Sequence, residues 1–201
     1  LVKPERTEMK KVIAFMALVI LITGCGKKTD KQQAAIIDGI DSTLIGDQFR
    51  VGTYTYHPPA KWGLAPKEIF DMLEGGLIKS IDDPNVKITP LNLHIDVDTK
   101  SMLVVSRFDM KNTEESAMID NYISRVKAAG NPIDLKTSKI ARPGLNLTRL
   151  ALTAKGYIDI RYLTPPADGG FYQFDYVFPE ESFPNNEPLF ESSNLTIMRG
   201  R

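Results

Sequence analysis

The chain has 201 residues, 42% of them hydrophobic, enough for one core-forming domain of ordinary size with a tail to spare. Its 25 basic and 25 acidic side chains cancel, so it lacks the surplus of Lys and Arg with which a nucleic-acid binder displaces counterions from phosphates. A single cysteine excludes an internal disulfide framework and any cysteine-based zinc cluster, and leaves the redox compartment unread.

The chain opens on a segment unlike the rest. Met9 is followed by Lys10 and Lys11, and Val12 to Thr23 then carry no charge. This run falls well short of the roughly 20 residues a helix needs to cross a bilayer. It also lacks the polar stripe of a core helix. Two lysines, a short apolar run and then small residues form the pattern of a secretory signal peptide over residues 9–24. Residues 1–8, "LVKPERTE", precede Met9 and read as an upstream extension of the reading frame.

The end of the run, Ile22-Thr23-Gly24-Cys25, resembles the bacterial lipobox: an aliphatic residue, two small ones and a cysteine. The resemblance implies that the Cys25 sulfur receives a diacylglycerol, that the chain is cut before it, and that the new N-terminus is acylated. The competing reading is a lone buried cysteine. One acyl chain binds a membrane marginally, whereas two or three, at about 0.8 kcal/mol per buried CH₂, hold a protein firmly. Gly26 follows the cysteine. In Gram-negative lipoproteins Asp at that place tends to retain the protein at the inner membrane, so the resemblance points to the periplasmic face of the outer membrane. Residues 25–48 are then a lipidated N-terminus and polar tether, whose "AAIIDGIDSTLIG" has enough apolar content to dock or to form a short helix.

A single globular domain is expected over 49–201. "FRVGTYTYHPPAKW" is β-rich and stops at Pro58-Pro59. Ile69, Met72, Leu73, Leu77 and Ile81 recur at helical spacing, with Pro66 suited to the first turn and Gly75-Gly76 weakening the helix by about 1 kcal/mol per glycine. Leu91, Leu93, Ile95 and Val97 alternate with Asn92, His94, Asp96 and Asp98, and "SMLVVSRFDM" follows a short turn. The clearest helix is "NTEESAMIDNYISRVKAAGNP". Asn112 and Glu115 have capping-box spacing, Met118, Tyr122, Val126 and Ala129 share a face, and Gly130 and Pro132 end it.

Three further strands follow. In "LNLTRLALTA" the alternation shifts around Arg149, which suggests a bulge. "YIDIRYL" puts Ile158, Ile160 and Tyr162 on one face, and "FYQFDYVF" does the same for Tyr172, Phe174, Tyr176 and Phe178 after the turn-rich "TPPADGG". Last, "NEPLFESSNLTIMR" reads as a helix with Pro188 in its first turn and Leu189, Ser193 and Ile197 in register. Strands on both sides of amphipathic helices, joined by hairpin-like connections, specify an α+β domain, an antiparallel sheet packed against helices.

This order resembles the PsbP/DcrB-like superfamily of photosystem accessory proteins and bacterial envelope lipoproteins. The phrases that carry it are the opening strand with Pro58, Pro59 and Trp62, the "EES" helix after a strand, the meander of long strands and the closing "FESSNLTI". The resemblance spans about residues 49–198 and implies a layered sandwich with an accessory or assembly role. It brings no shared catalytic set.

His94-x-Asp96-x-Asp98 is the most chemical-looking constellation, since all three point to one side of a strand, about 6.5–7 Å apart per step. One strand does not make ligands converge, and a solvated face opposite Leu93 and Ile95 explains the alternation, so that is the reading preferred. His57, before Pro58-Pro59, is a turn histidine unless a nucleophile or carboxylate lies within about 3 Å. No nucleophile elbow, HExxH or Walker loop is present, Gly75-Gly76 and Gly169-Gly170 are not phosphate loops, and no cofactor or metal is implied. The aromatic set Tyr172, Phe174, Tyr176 and Phe178 offers a stacking surface, but a helix-covered core face explains it better. Trp62 is the candidate partner-binding anchor, with a core plug as its alternative.

These readings order three functions. The first is a non-enzymatic envelope lipoprotein that docks a protein partner. The second is a module for a small or lipidic ligand, which needs an unfilled apolar pocket beside the aromatic strand. The third is an envelope hydrolase, which needs His57 or His94 within reach of a carboxylate or Ser in a cleft.

Overall fold

In a computed structural model, which describes residues 40–80, 83–130 and 134–200, the first β-rich phrase folds back on itself. The apolar run, the lipobox with Cys25 and most of the tether lie outside the described residues. In chain order the strands are β1 (Phe49–Val51), β2 (Tyr54–Tyr56) and β3 (Gly63–Leu64), then β4 (Val86–Asp96) and β5 (Ser101–Met110) after helix α1 (Lys67–Ser80). Helix α2 (Glu115–Gly130) leads to the meander β6 (Asp134–Arg142), β7 (Leu145–Ala154), β8 (Tyr157–Leu163) and β9 (Gly170–Pro179). Helix α3 (Phe183–Leu195) and β10 (Met198–Arg199) close the domain. The fold is α+β and antiparallel throughout: a seven-stranded sheet ordered β3-β4-β5-β9-β8-β7-β6, and a three-stranded sheet ordered β1-β2-β10.

Both faces of the large sheet are covered. On one, Leu103, Val105, Leu147, Ile160, Phe174, Tyr176 and Phe178 pack against Val51, Tyr54 and Tyr56 of the small sheet and Phe190 of α3. On the other, Phe108, Leu150, Leu163 and Phe171 pack against Met118, Ile119 and Tyr122 of α2. Each fully buried ring or branched side chain contributes about 1.5–3 kcal/mol, so both layers hold the sheet.

This double coverage corrects the bulge expected at Arg149. The β6–β7 and β7–β8 registers run without a break through Arg149. The apolar period shifts because Leu145 and Leu147 fill one core while Leu150 and Leu152 fill the other. The register shift in the sheet lies instead in β4, between Pro90 and Asn92, where proline cannot donate to the ladder.

Three boundaries also differ from expectation. Asn112 does not cap α2: it sits at φ +57°, its side chain donates to Asn85 Oδ1 at 3.3 Å, and the helix begins at Glu115. Helix α3 begins at Phe183 with Pro184 in its first turn, so Pro188 is inside the helix, and Ile197 lies beyond its end as a buried core residue. Asn186 Nδ2 donates to Ser182 O at 3.1 Å and ties that proline-rich first turn together. Strand β6, absent from the sequence reading, is a polar edge strand whose side chains are mostly exposed. Near the tether's end, Ser42–Leu44 forms a 3₁₀ turn capped by Asp41, and Gly46 N donates to Pro58 O at 2.7 Å.

Candidate functional site

His94 is the largest departure from the sequence reading. It lies at 0% exposure, because the small sheet covers the side of β4 that was read as solvated. Its Nε2 is 2.9 Å from Tyr56 Oη, Asn92 Nδ2 donates to that same oxygen at 2.9 Å, and the Phe49 ring stands edge-on at 4.6 Å. Asn92 donating to Tyr56, and Tyr56 to Nε2, places the imidazole proton on Nδ1, which is buried without a hydrogen-bond partner. Burial pushes the imidazole down to about 4.

The other two members of the triplet stay local. Asp96 accepts from Asp98 N at 3.1 Å and from Thr99 Oγ1 at 2.7 Å, closing the β4–β5 turn, and Asp98 is exposed. Among the described residues no group of three or more His, Cys, Asp or Glu side chains is placed to hold a metal. His57 Nδ1 is 2.9 Å from Gly46 O, and its backbone holds α3: His57 N donates to Thr196 Oγ1 at 2.7 Å and His57 O accepts from Ser193 Oγ at 2.6 Å. Both imidazoles thus serve contacts with Tyr56 and with backbone.

Trp62 is not on the surface. It is 5% exposed, with its ring 5.8 Å from that of Phe178, so of the two readings, surface anchor and core plug, its place fits the core plug. Of the aromatic set, Phe174, Tyr176 and Phe178 are fully buried, whereas Tyr172 is half-buried. The small sheet covers Tyr172 and Phe174, and α3 covers only the Tyr176 and Phe178 end. Phe190 of α3 meets Tyr176 and Phe178 edge-on at 5.1 and 5.7 Å, so rings fill the space where a lipidic ligand would sit.

The opposite face carries a charged network that the sequence did not announce. Arg161 Nε donates to Asp159 Oδ1 at 3.0 Å, Arg161 Nη1 to Tyr122 Oη at 2.7 Å, and Gln173 Nε2 to Asp175 Oδ2 at 3.1 Å. Tyr122 Oη donates to Gln173 Oε1. Asp175 lies 3.6 Å from the Arg161 guanidinium, and its Oδ1 is buried without a partner. Burial, then the neighbouring Asp159, push the Asp175 carboxyl well above the usual range. Strand pairing accounts for the meeting, since Arg161 is opposite Asp175.

A cleft of about 100 Å³ opens where the β1–β2 turn, β10 and the β8–β9 turn converge. Gly52, Tyr54, Arg107, Asp168, Tyr172 and Arg199 line it. The β8–β9 turn has Asp168 and Gly169 at φ +53° and +74°, the left-handed pair of a two-residue hairpin. A Cβ on Gly52, at φ +55°, would fall on Tyr172 Oη, so glycine lets the two turns approach. Arg107 is fixed from three sides: Nε donates to Asp109 Oδ1 at 2.7 Å, Nη2 to Asp168 O at 2.9 Å and Nη1 to Tyr172 Oη at 3.4 Å. Its guanidinium lies 5.4 Å from the Tyr172 ring centre, and Tyr54 packs on that ring at 5.4 Å.

No protein family and no curated protein matches the chain. Among solved structures it is similar to the solution structure of cyanobacterial PsbP (CyanoP) from Synechocystis sp. PCC 6803, at 12% identity and a TM-score of 0.46, over 82% of this chain and 98% of that one. It is similar also to the crystal structure of LpqN, involved in cell envelope biogenesis of Mycobacterium tuberculosis, at 8% identity and a TM-score of 0.40, over 63% of this chain and 96% of that one.

Proposed function

We propose that the chain is a lipid-anchored envelope protein whose α+β domain acts as a non-enzymatic accessory factor that docks a protein partner. One observation carries this reading: Ile22-Thr23-Gly24-Cys25 closes a charge-free run preceded by two lysines. Acylation at Cys25 would supply the membrane attachment. Gly26 in place of Asp favours the periplasmic face of the outer membrane in a Gram-negative cell.

The partner-docking role draws support from how the polar groups are used. The histidines are engaged with Tyr56 and with backbone rather than with a nucleophile, and Phe174, Tyr176 and Phe178 of the aromatic strand are spent on core packing. In cells fed labelled palmitate, the wild-type chain is expected to take up label and to be cut before Cys25, whereas Cys25→Ala remains an unlabelled precursor. Normal labelling and processing of Cys25→Ala would refute the anchor.

A further inference from the structure

The cleft at Arg107 is a built site rather than a gap between turns. A guanidinium has five N–H groups, and Arg107 commits three of them to Asp109, Asp168 O and Tyr172 Oη. One N–H on each terminal nitrogen is left without a partner among the described residues, on a side chain that its three acceptors hold still. Arg199, exposed on β10 beside Tyr54, has no hydrogen bond or ion pair for its guanidinium among the described residues. Arg50 Nε donates to the backbone oxygen of Gly52, a lining residue, at 3.2 Å. A fixed arginine, Arg107, beside the packed rings of Tyr54 and Tyr172 is the composition of a binding hot spot, because side chains already held lose little entropy on contact.

Charge and size select the ligand. Arg107 and Arg199 line the cleft with Asp168, whose backbone oxygen is turned to Arg107, and Arg107 is paired with Asp109 beside it. Glu115 is engaged by Gly169 N at 3.3 Å. The charged residues that line the cleft, Arg107 and Arg199 against Asp168, leave one positive charge, which matches a monoanion better than a dianionic phosphate. A recess of about 100 Å³ is small beside the pockets that take whole small molecules, and suits the end of one side chain.

We propose that this cleft is the docking point for a single carboxylate, presented by an acidic side chain of the partner protein. The identification of a protein as the source rests on the accessory reading above; the carboxylate site itself does not. Two guanidiniums approach the anion from β5 and β10, one pre-set by its own acceptors, and Tyr54 and Tyr172 wall the methylene stem. Arginine suits this task because its planar donors match a carboxylate and its pairing survives partial desolvation.

The test titrates the detergent-solubilised full chain, labelled at arginine, with blocked glutamate (N-acetyl-glutamate amide), following the arginine Nε–H resonances by NMR. Saturable shifts at Arg107 and Arg199, with half-saturation at or below about 10 mM, are expected, and blocked glutamine should give none. Arg199→Gln, an exposed change whose unchanged melting temperature shows an intact fold, is expected to weaken binding about tenfold. Linear shifts up to about 50 mM, an equal response to blocked glutamine, or tighter binding of inorganic phosphate would each overturn the assignment. A chain that is not acylated at Cys25 but passes this titration loses the envelope address and keeps the cleft. A chain that is acylated but silent in the titration keeps the address and loses the cleft.

Discussion

His94 makes the fold sensitive to acid, and the size of the effect can be worked out. The ring is fully buried, its Nε2 is engaged by Tyr56 Oη, and Nδ1 has no acceptor to stabilise a cation. Burial lowers the folded-state imidazole from 6.5 to about 4. An unfolded chain therefore takes up a proton near pH 6.5 that the folded chain refuses until about pH 4. Stability from this residue is complete above pH 6.5 and is lost as pH falls through that window. At 1.36 kcal/mol per unit, the loss amounts to about 3 kcal/mol, a large share of the 5–15 kcal/mol typical of a domain.

Asp175 works in the opposite direction. Its raised carboxyl holds a proton in the folded state that the unfolded chain has released, so it adds stability as pH falls. The pH dependence of the wild type alone therefore mixes both groups, and the informative quantity is its difference from His94→Gln. Urea denaturation of both chains between pH 7.5 and 4 is expected to show the wild-type advantage shrinking by about 3 kcal/mol as the medium becomes acidic. Parallel stability curves would refute the reasoning, as would an NMR titration placing the His94 ring near its unperturbed value.

Arg161→Met is expected to cost about 3–5 kcal/mol in urea denaturation at neutral pH, because it leaves Asp159 and Asp175 together without their shared cation. Asp175→Asn keeps the shape and removes only a group that burial already disfavours as an anion, so a loss under about 1 kcal/mol is expected; equal costs for the two variants would contradict this account of the network. Trp62→Ala is expected to cost about 3–5 kcal/mol as a core truncation, and a loss under about 1 kcal/mol would return the ring to the surface.

Much of the secondary structure was legible because periodicity is a local property. The helix spacing of Ile69, Met72 and Leu73 marked α1, and Met118, Tyr122 and Val126 marked the face of α2 that meets the sheet. The aromatic alternation of β9 marked a covered face for Phe174, Tyr176 and Phe178, but not the half-buried place of Tyr172 or the small sheet that supplies part of the cover. Strand β6 went unseen for a related reason: an edge strand with Lys136 and Lys139 facing outward has no apolar alternation to detect. The candidate sites were less legible. Arg107 and Arg199 are far apart in the chain, and only the approach of two hairpin turns brings them to one cleft.

Taken by itself, the sequence determined the α+β class, the order of most elements and the lipobox-like start, all written in neighbouring residues. It also determined which side chains share a strand face. Only the tertiary structure decided whether the second face of each strand meets water or another layer. That choice buried His94, turned Trp62 into a core plug and split the leucines of β7 between two cores. The physical reason is that alternation records which side chains point together, whereas burial depends on what a distant segment lays over them.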